Sequence, residues 1–125
     1  MEGTKKKILI IEDEKSMARA LELKLTFAGF EVLCAGNGEE GLDLLGKETF
    51  ALILLDLIMP KMDGFAFLEA LKEKDIHIPV MVLTNLSQAE DETRVKALGA
   101  KEFFIKSNTT IATIVEKVTQ FLSSH

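Results

Sequence analysis

Only one cysteine, Cys34, occurs among the 125 residues, which excludes an internal disulfide and most zinc-binding arrangements. At the end of a predicted strand it is expected to be a small, semi-buried hydrophobe. No apolar run approaches the roughly 20 residues needed to span a bilayer. The N-terminus lacks a charged segment followed by a signal-type apolar stretch and a small-residue cleavage site. Positive charge is not in excess either. The net charge of −5 disfavours wide nucleic-acid contact, because a phosphate backbone is bound by clustered Lys and Arg. The basic run Lys5-Lys6-Lys7 sits against an apolar strand and reads as its solvated flank. His77 lies in a polar loop and His125 is terminal, and neither has a sequence partner that suggests catalysis or metal binding. What remains is 47% hydrophobic and 28% charged, the composition of a globular domain large enough to bury one core. A single domain over residues 1–125, with its core at about 5–122, and a cytoplasmic location are the expectations.

Short apolar runs alternate with amphipathic stretches along the whole chain. Ile8-Leu9-Ile10-Ile11 has the continuous apolar character of a strand covered on both faces, and it stops at Glu12-Asp13-Glu14. Met17, Ala20, Leu21, Leu25 and Ala28 recur at helical spacing, and Gly29 supplies a stop. A second strand is predicted over residues 30–35, and Gly41, Leu42 and Leu45 mark a short helix. The third strand, residues 51–55, ends on Asp56, and Pro60 with Asp63-Gly64 makes the following segment a loop. Phe67, Leu68 and Leu71 give a third helix its apolar face. Strand four covers residues 80–83 and ends on Thr84. Residues 87–98 are mostly polar and read as a helix anchored by Ala89, Val95 and Leu98, closed by Gly99. Residues 102–105 form strand five, followed by Lys106, and Ile111, Ile114, Val115, Val118, Phe121 and Leu122 stripe the last helix.

Five strands alternating with five helices through short loops call for an α/β fold, a doubly wound parallel sheet. Right-handed crossovers restrict its topology, and the flavodoxin-like strand order 2-1-3-4-5 is expected. In such a sheet ligands bind at the carboxyl ends of the strands. Those ends carry Glu12 and Asp13, Asp56, Thr84 and Lys106. Each alone has an ordinary explanation: an acidic pair suits a helix N-terminus, Thr84 a cap, and Lys106 a solvated surface. Their conjunction on one rim carries the functional reading. Three carboxylates repel, Lys106 balances only one, and a hard divalent ion such as Mg²⁺ is the natural remainder. The set suits phosphoryl transfer, with metal, carboxylate, hydroxyl and cation grouped around a tetrahedral anion.

The pair within Ile10-Ile11-Glu12-Asp13-Glu14, the segment from Asp56 to Gly64, Thr84, and Phe103 with Lys106 together resemble the receiver domain of two-component response regulators. The likeness covers about residues 5–122. It implies that Asp56 accepts a phosphoryl group from a phosphohistidine of a sensor histidine kinase or phosphotransfer protein. It implies that Asp13 binds Mg²⁺ directly, that Glu12 acts mainly through a metal-bound water, and that Asp56 and the Ile58 backbone carbonyl complete the protein ligands. Lys106 and Thr84 would then hold the phosphoryl oxygens, and Phe103 would turn inward as a switch aromatic. The implied output is a changed face of helix four, strand five and helix five, read by a downstream target that the sequence does not name. The implied state is a monomer, or a weak dimer on phosphorylation, without membrane or direct nucleic-acid contact.

Three positions depart from the family's commonest form: Glu12 replaces an Asp, Ser107 a proline, and Asn85 a small residue. The Lys106–Ser107 bond is expected to be trans, since cis costs about 2.5–4 kcal/mol without proline. An aspartyl-phosphate phosphatase or phosphotransferase is the main rival, but its general acid would stand where Ile58 stands. A degenerate receiver acting only as an interaction module is weakened by the complete set of acids, Thr84 and Lys106. A dinucleotide site is disfavoured because residues 12–16 replace any Gly-rich turn after strand one.

Overall fold

Each inner strand carries an unbroken apolar run, yet the residues of that run divide strictly between two faces, as the strand period of two requires. In the computed structural model, which describes residues 5–86 and 88–124, β1 (Lys7–Ile11) sends Leu9 and Ile11 to one core and Ile8 and Ile10 to the other. The same division holds in β3 (Leu52–Leu55) and β4 (Val80–Thr84). With β2 (Glu31–Ala35) and β5 (Glu102–Ile105), these strands make one parallel sheet in the order β2-β1-β3-β4-β5. This is the expected flavodoxin-like arrangement.

Helices α1 (Lys15–Phe27) and α5 (Ile111–Ser124) cover one face, through Leu21 and Leu25, and Ile114, Val118 and Leu122. The other face is covered by α3 (Gly64–Glu73), with Phe67, Leu68 and Leu71, together with α2 (Gly38–Leu45) and α4 (Ala89–Ala97). Gly29 and Gly99, at φ +105° and +106°, end α1 and α4 in the left-handed turn that other residues rarely adopt. Lys106–Asn108 forms one 3₁₀ turn before α5, and no cis peptide occurs among the described residues. The trans Lys106–Ser107 bond is as expected.

Three local readings are corrected by the tertiary structure. Cys34 is exposed, because β2 is an edge strand with one side open to solvent. Burial of part of its side chain and the nearby Glu22 carboxylate push its thiol up to about 11. Ala89 is exposed and does not anchor α4, whose only buried residue is Val95. Ser87, at the start of that stretch, and His125 lie outside the described residues. Helix α2 starts earlier than its apolar pattern suggests, since the buried Asn37 side chain caps it by accepting from Glu40 N at 3.0 Å.

The loop after β3 is fixed by steric contact and capping. Gly64 opens α3 with its N–H on Leu57 O, and Asp63 caps the helix through Ala66 N. A Cβ on Gly64 would lie 2.6 Å from Asp56 O and 2.7 Å from Leu57 Cα, both backbone atoms. Gly64→Ala should therefore cost about 2–3 kcal/mol in urea unfolding, the range of an overpacked core. Gly29→Ala meets open space and should cost only about 1 kcal/mol, through its positive φ alone.

Candidate functional site

The register of the sheet brings the functional residues together. Ile11 pairs with Leu55, so Glu12 and Asp56 leave adjacent strands at the same level. The link Asp56 N to Ile11 O, 2.9 Å, extends that pairing by one step. Leu55 pairs with Val82 and Thr84 with Ile105, which sets Thr84 and Lys106 one or more residues further along. The long Lys106 arm covers the difference. Its Nζ lies 2.7 Å from Glu12 Oε1 and 3.2 Å from Asp56 Oδ2, and its side chain is only 11% exposed.

Glu12 and Asp56 are buried at 3% and 4% exposure, two carboxylates that a neutral core would not hold without a cation. Backbone donors fix each of them. Glu14 N donates to Glu12 Oε2 at 2.9 Å, and Ile58 N donates to Asp56 Oδ1 at 3.3 Å. Glu12 Oε1 is fully buried and faces Lys106 off the line of a good hydrogen bond, so it keeps unused acceptor capacity. Burial pushes the Glu12 carboxyl up to about 7, and Asp56 adds to the effect, while Lys106 and the Glu14 N–H oppose it. Burial lowers the Lys106 ammonium, but Glu12 and Asp56 outweigh it and hold it above its ordinary value. The lysine is charged, and it balances one of the two buried acids.

Asp13 is exposed at the rim, and one oxygen from each of Glu12, Asp13 and Asp56 falls within 4.8 Å of the others. Three carboxylates without nitrogen or sulfur form the hard-oxygen set that suits Mg²⁺. The spare acceptor on Glu12 fits that requirement. Thr84 is fully buried, and its Oγ1 accepts from Leu86 N at 3.2 Å. Ile58 projects outward with 55% exposure, and Phe103 is half-buried against the α2–α4 side of the sheet. Asn85 and Ser107 are exposed. Two residues that the sequence reading named without a role in the site contribute to it. Glu14 reaches Lys106 with Oε1 at 3.8 Å, and Gly64 allows the backbone of Asp56 and Leu57 to pack against α3. The acidic run 12–14 held the signal for Glu14, but nothing in it tells which acid turns inward.

The sequence profile of the response regulator receiver domain matches residues 8–119. The chain belongs to that family. This receiver is 41% identical, over 106 residues, to a probable transcriptional regulator ycf27 of Porphyra purpurea, covering 85% of this chain and 43% of the relative. The chain thus spans less than half the length of that curated relative. A CheY-like response regulator receiver domain from Methanospirillum hungatei superposes with a TM-score of 0.88 at 26% identity, covering 97% and 96% of the two chains. The response regulator TrrA of Thermotoga maritima, solved in complex with Mg²⁺ and beryllium fluoride, gives 0.79 at 28% identity, covering 92% and 97%. Receiver domains bind Mg²⁺ at an acidic pocket, and this receiver has such a cluster in Glu12, Asp13 and Asp56.

The raised Glu12 value has a thermodynamic consequence for the metal-free receiver. Between its ordinary value of 4.5 and about 7, native Glu12 keeps a proton that the unfolded chain releases. Stability contributed by Glu12 is therefore present below pH 4.5 and lost as pH rises through 7. Lys106 does not offset this, since its raised value acts only at alkaline pH. In chelator-treated protein the urea midpoint should report a loss of roughly 1–2 kcal/mol across this window, allowing for solvent screening. Glu12→Gln should flatten that dependence.

Proposed function

We propose that this receiver is a phosphorylation-dependent switch in which Asp56 is the phosphoacceptor and a sensor histidine kinase or phosphotransfer protein is the donor. The supporting observation is the joining of buried Asp56 and Glu12 by one ammonium, Lys106, at 3.2 and 2.7 Å. Asp13, Asp56 and Glu12, with the Ile58 carbonyl, would hold Mg²⁺. When bound, the ion supplies positive charge that neutralises the developing equatorial charge of the transferring group.

A carboxylate oxygen of Asp56 attacks phosphorus, forming an O–P bond as the N–P bond of phosphohistidine breaks. The imidazole leaves with the electron pair. Ile58 N holds Asp56 Oδ1 during the approach, which fixes the orientation of the carboxylate. The product dianion then competes for Lys106 and for the Thr84 hydroxyl. The Thr84 oxygen accepts from Leu86 N, and its O–H proton is the one that donates to phosphoryl oxygen. Each charge-assisted hydrogen bond contributes about 1.5–3 kcal/mol. Two of them supply much of the roughly 5.5 kcal/mol that carries a two-state element from 1:99 to 99:1. The element that responds is α4 with β5 and α5, with Phe103 as the switch aromatic, because α4 holds only Val95 in the core.

Ile58 carries no proton to transfer at the position where a phosphatase's acid would stand. This favours a signalling phosphoacceptor, which promotes only its own phosphorylation and dephosphorylation, over a turnover enzyme. The downstream target, a cytoplasmic location and a monomeric resting state belong to the same proposal. Asp56→Asn should abolish incorporation of label from acetyl phosphate, at least a hundredfold below wild type by the ordinary penalty for losing a nucleophile. Labelling equal to wild type would remove Asp56 from the mechanism. Adding beryllium fluoride with Mg²⁺ should shift the amide signals of Thr84 and Phe103, and an unchanged spectrum there would count against the switch.

A further inference from the structure

We infer that Glu14 is a positioning residue for Lys106: its exposed carboxylate draws the ammonium toward solvent and so restrains it from the phosphoryl position on Asp56. This rests on the phosphoacceptor reading above and adds a residue that tunes it. Glu14 is the N-cap of α1, where a side-chain oxygen ordinarily accepts from the first turn. It makes no such bond, although the first turn of α1 has no acid to serve the helix dipole. Its Oε1 instead lies 3.8 Å from Lys106 Nζ, and its N–H holds Glu12 Oε2. Its side chain and its N–H thus serve the site, while its carbonyl alone serves α1 by accepting from Ala18 N at 3.0 Å.

Three carboxylates share Lys106, and their exposures order them. Glu12 and Asp56 hold it from inside, at 1% and 5% side-chain exposure, and Glu14 pulls from outside at 60%. A phosphoryl group on Asp56 would compete with Glu14 for this ammonium. The Glu14 charge also repels an approaching anion. Neutralising it therefore favours the phosphoryl-bound state, and salt, which screens an exposed pair, shrinks the difference.

The test is an amide NMR titration of the whole chain with beryllium fluoride at saturating Mg²⁺. Glu14→Gln should bind about two- to fivefold more tightly than wild type at low ionic strength, the span of an exposed charge pair, and nearly equally in 0.5 M salt. Glu14→Asp, a good N-cap with a shorter charged arm, should fall between them. In metal-free protein the Lys106 ε-carbon signal should move in Glu14→Gln, which a capping role alone would not cause. Equal or weaker binding by Glu14→Gln, or an unmoved Lys106 signal, would overturn the inference while wild-type binding leaves the phosphoacceptor reading intact. Failure of wild type to bind would overturn both.

Discussion

One ammonium between two buried carboxylates governs this molecule. Glu12 and Asp56 are withdrawn from water at the end of adjacent strands, where the loss of hydration costs several kcal/mol per ion. Lys106, at the end of β5 and so three strands away from Glu12 and two from Asp56, offsets part of that cost, and its own charge is kept by the acids it contacts. The balance is incomplete. Glu12 responds by holding its proton toward neutral pH, and the fully buried Oε1 retains acceptor capacity. A site left short of positive charge has the carboxylate cluster at which receiver domains bind Mg²⁺.

The apolar framework makes that arrangement possible. Two cores, one on each face, fix β1 and β3 rigidly, so that the residues that follow them emerge side by side. Close backbone packing at Gly64 and the Asp63 cap hold the loop behind Asp56. Gly38 N to Met62 O, 3.2 Å, ties that loop to the start of α2. Burial thins toward α4. That helix rests on Val95, and Arg94 lies 4.0 Å from the Phe65 ring centroid and 3.7 Å from Glu69, both on α3. Charge and cation–π contacts replace buried area there, and these are weaker and more readily exchanged. The strongly packed half holds the acidic cluster, and the helix beside it is held by one buried side chain and by surface contacts.

The strands were legible because burial on both faces leaves an unbroken apolar run, and the acids that end β1 and β3 stand out against it. Alternation and handedness narrowed the doubly wound topology to a few orders, and chain length with the family resemblance selected one of them. Exposure was harder to read. Cys34 resembles an interior residue in composition, but β2 lies at an edge, and edge position is a property of the assembled sheet. Ala89 fits a helical stripe and yet faces water, since a nine-residue helix with one buried side chain has little inward face. The Asp63-Gly64 pair signalled a turn, but Gly64 is required by the approach of Asp56 and Leu57 and not by its φ.

Local order along the chain determined the identity of the elements, the end of each strand at which chemistry gathers, and the residue types available there. Those depend on interactions between near neighbours, which a linear pattern records. The tertiary structure decided which carboxylates lose water, that Glu14 turns toward Lys106 while Thr84 turns toward Leu86, and how far one lysine's charge must be shared. These depend on distances between residues as many as 94 positions apart, such as Glu12 and Lys106, and on desolvation. Both arise only when the strands are laid side by side.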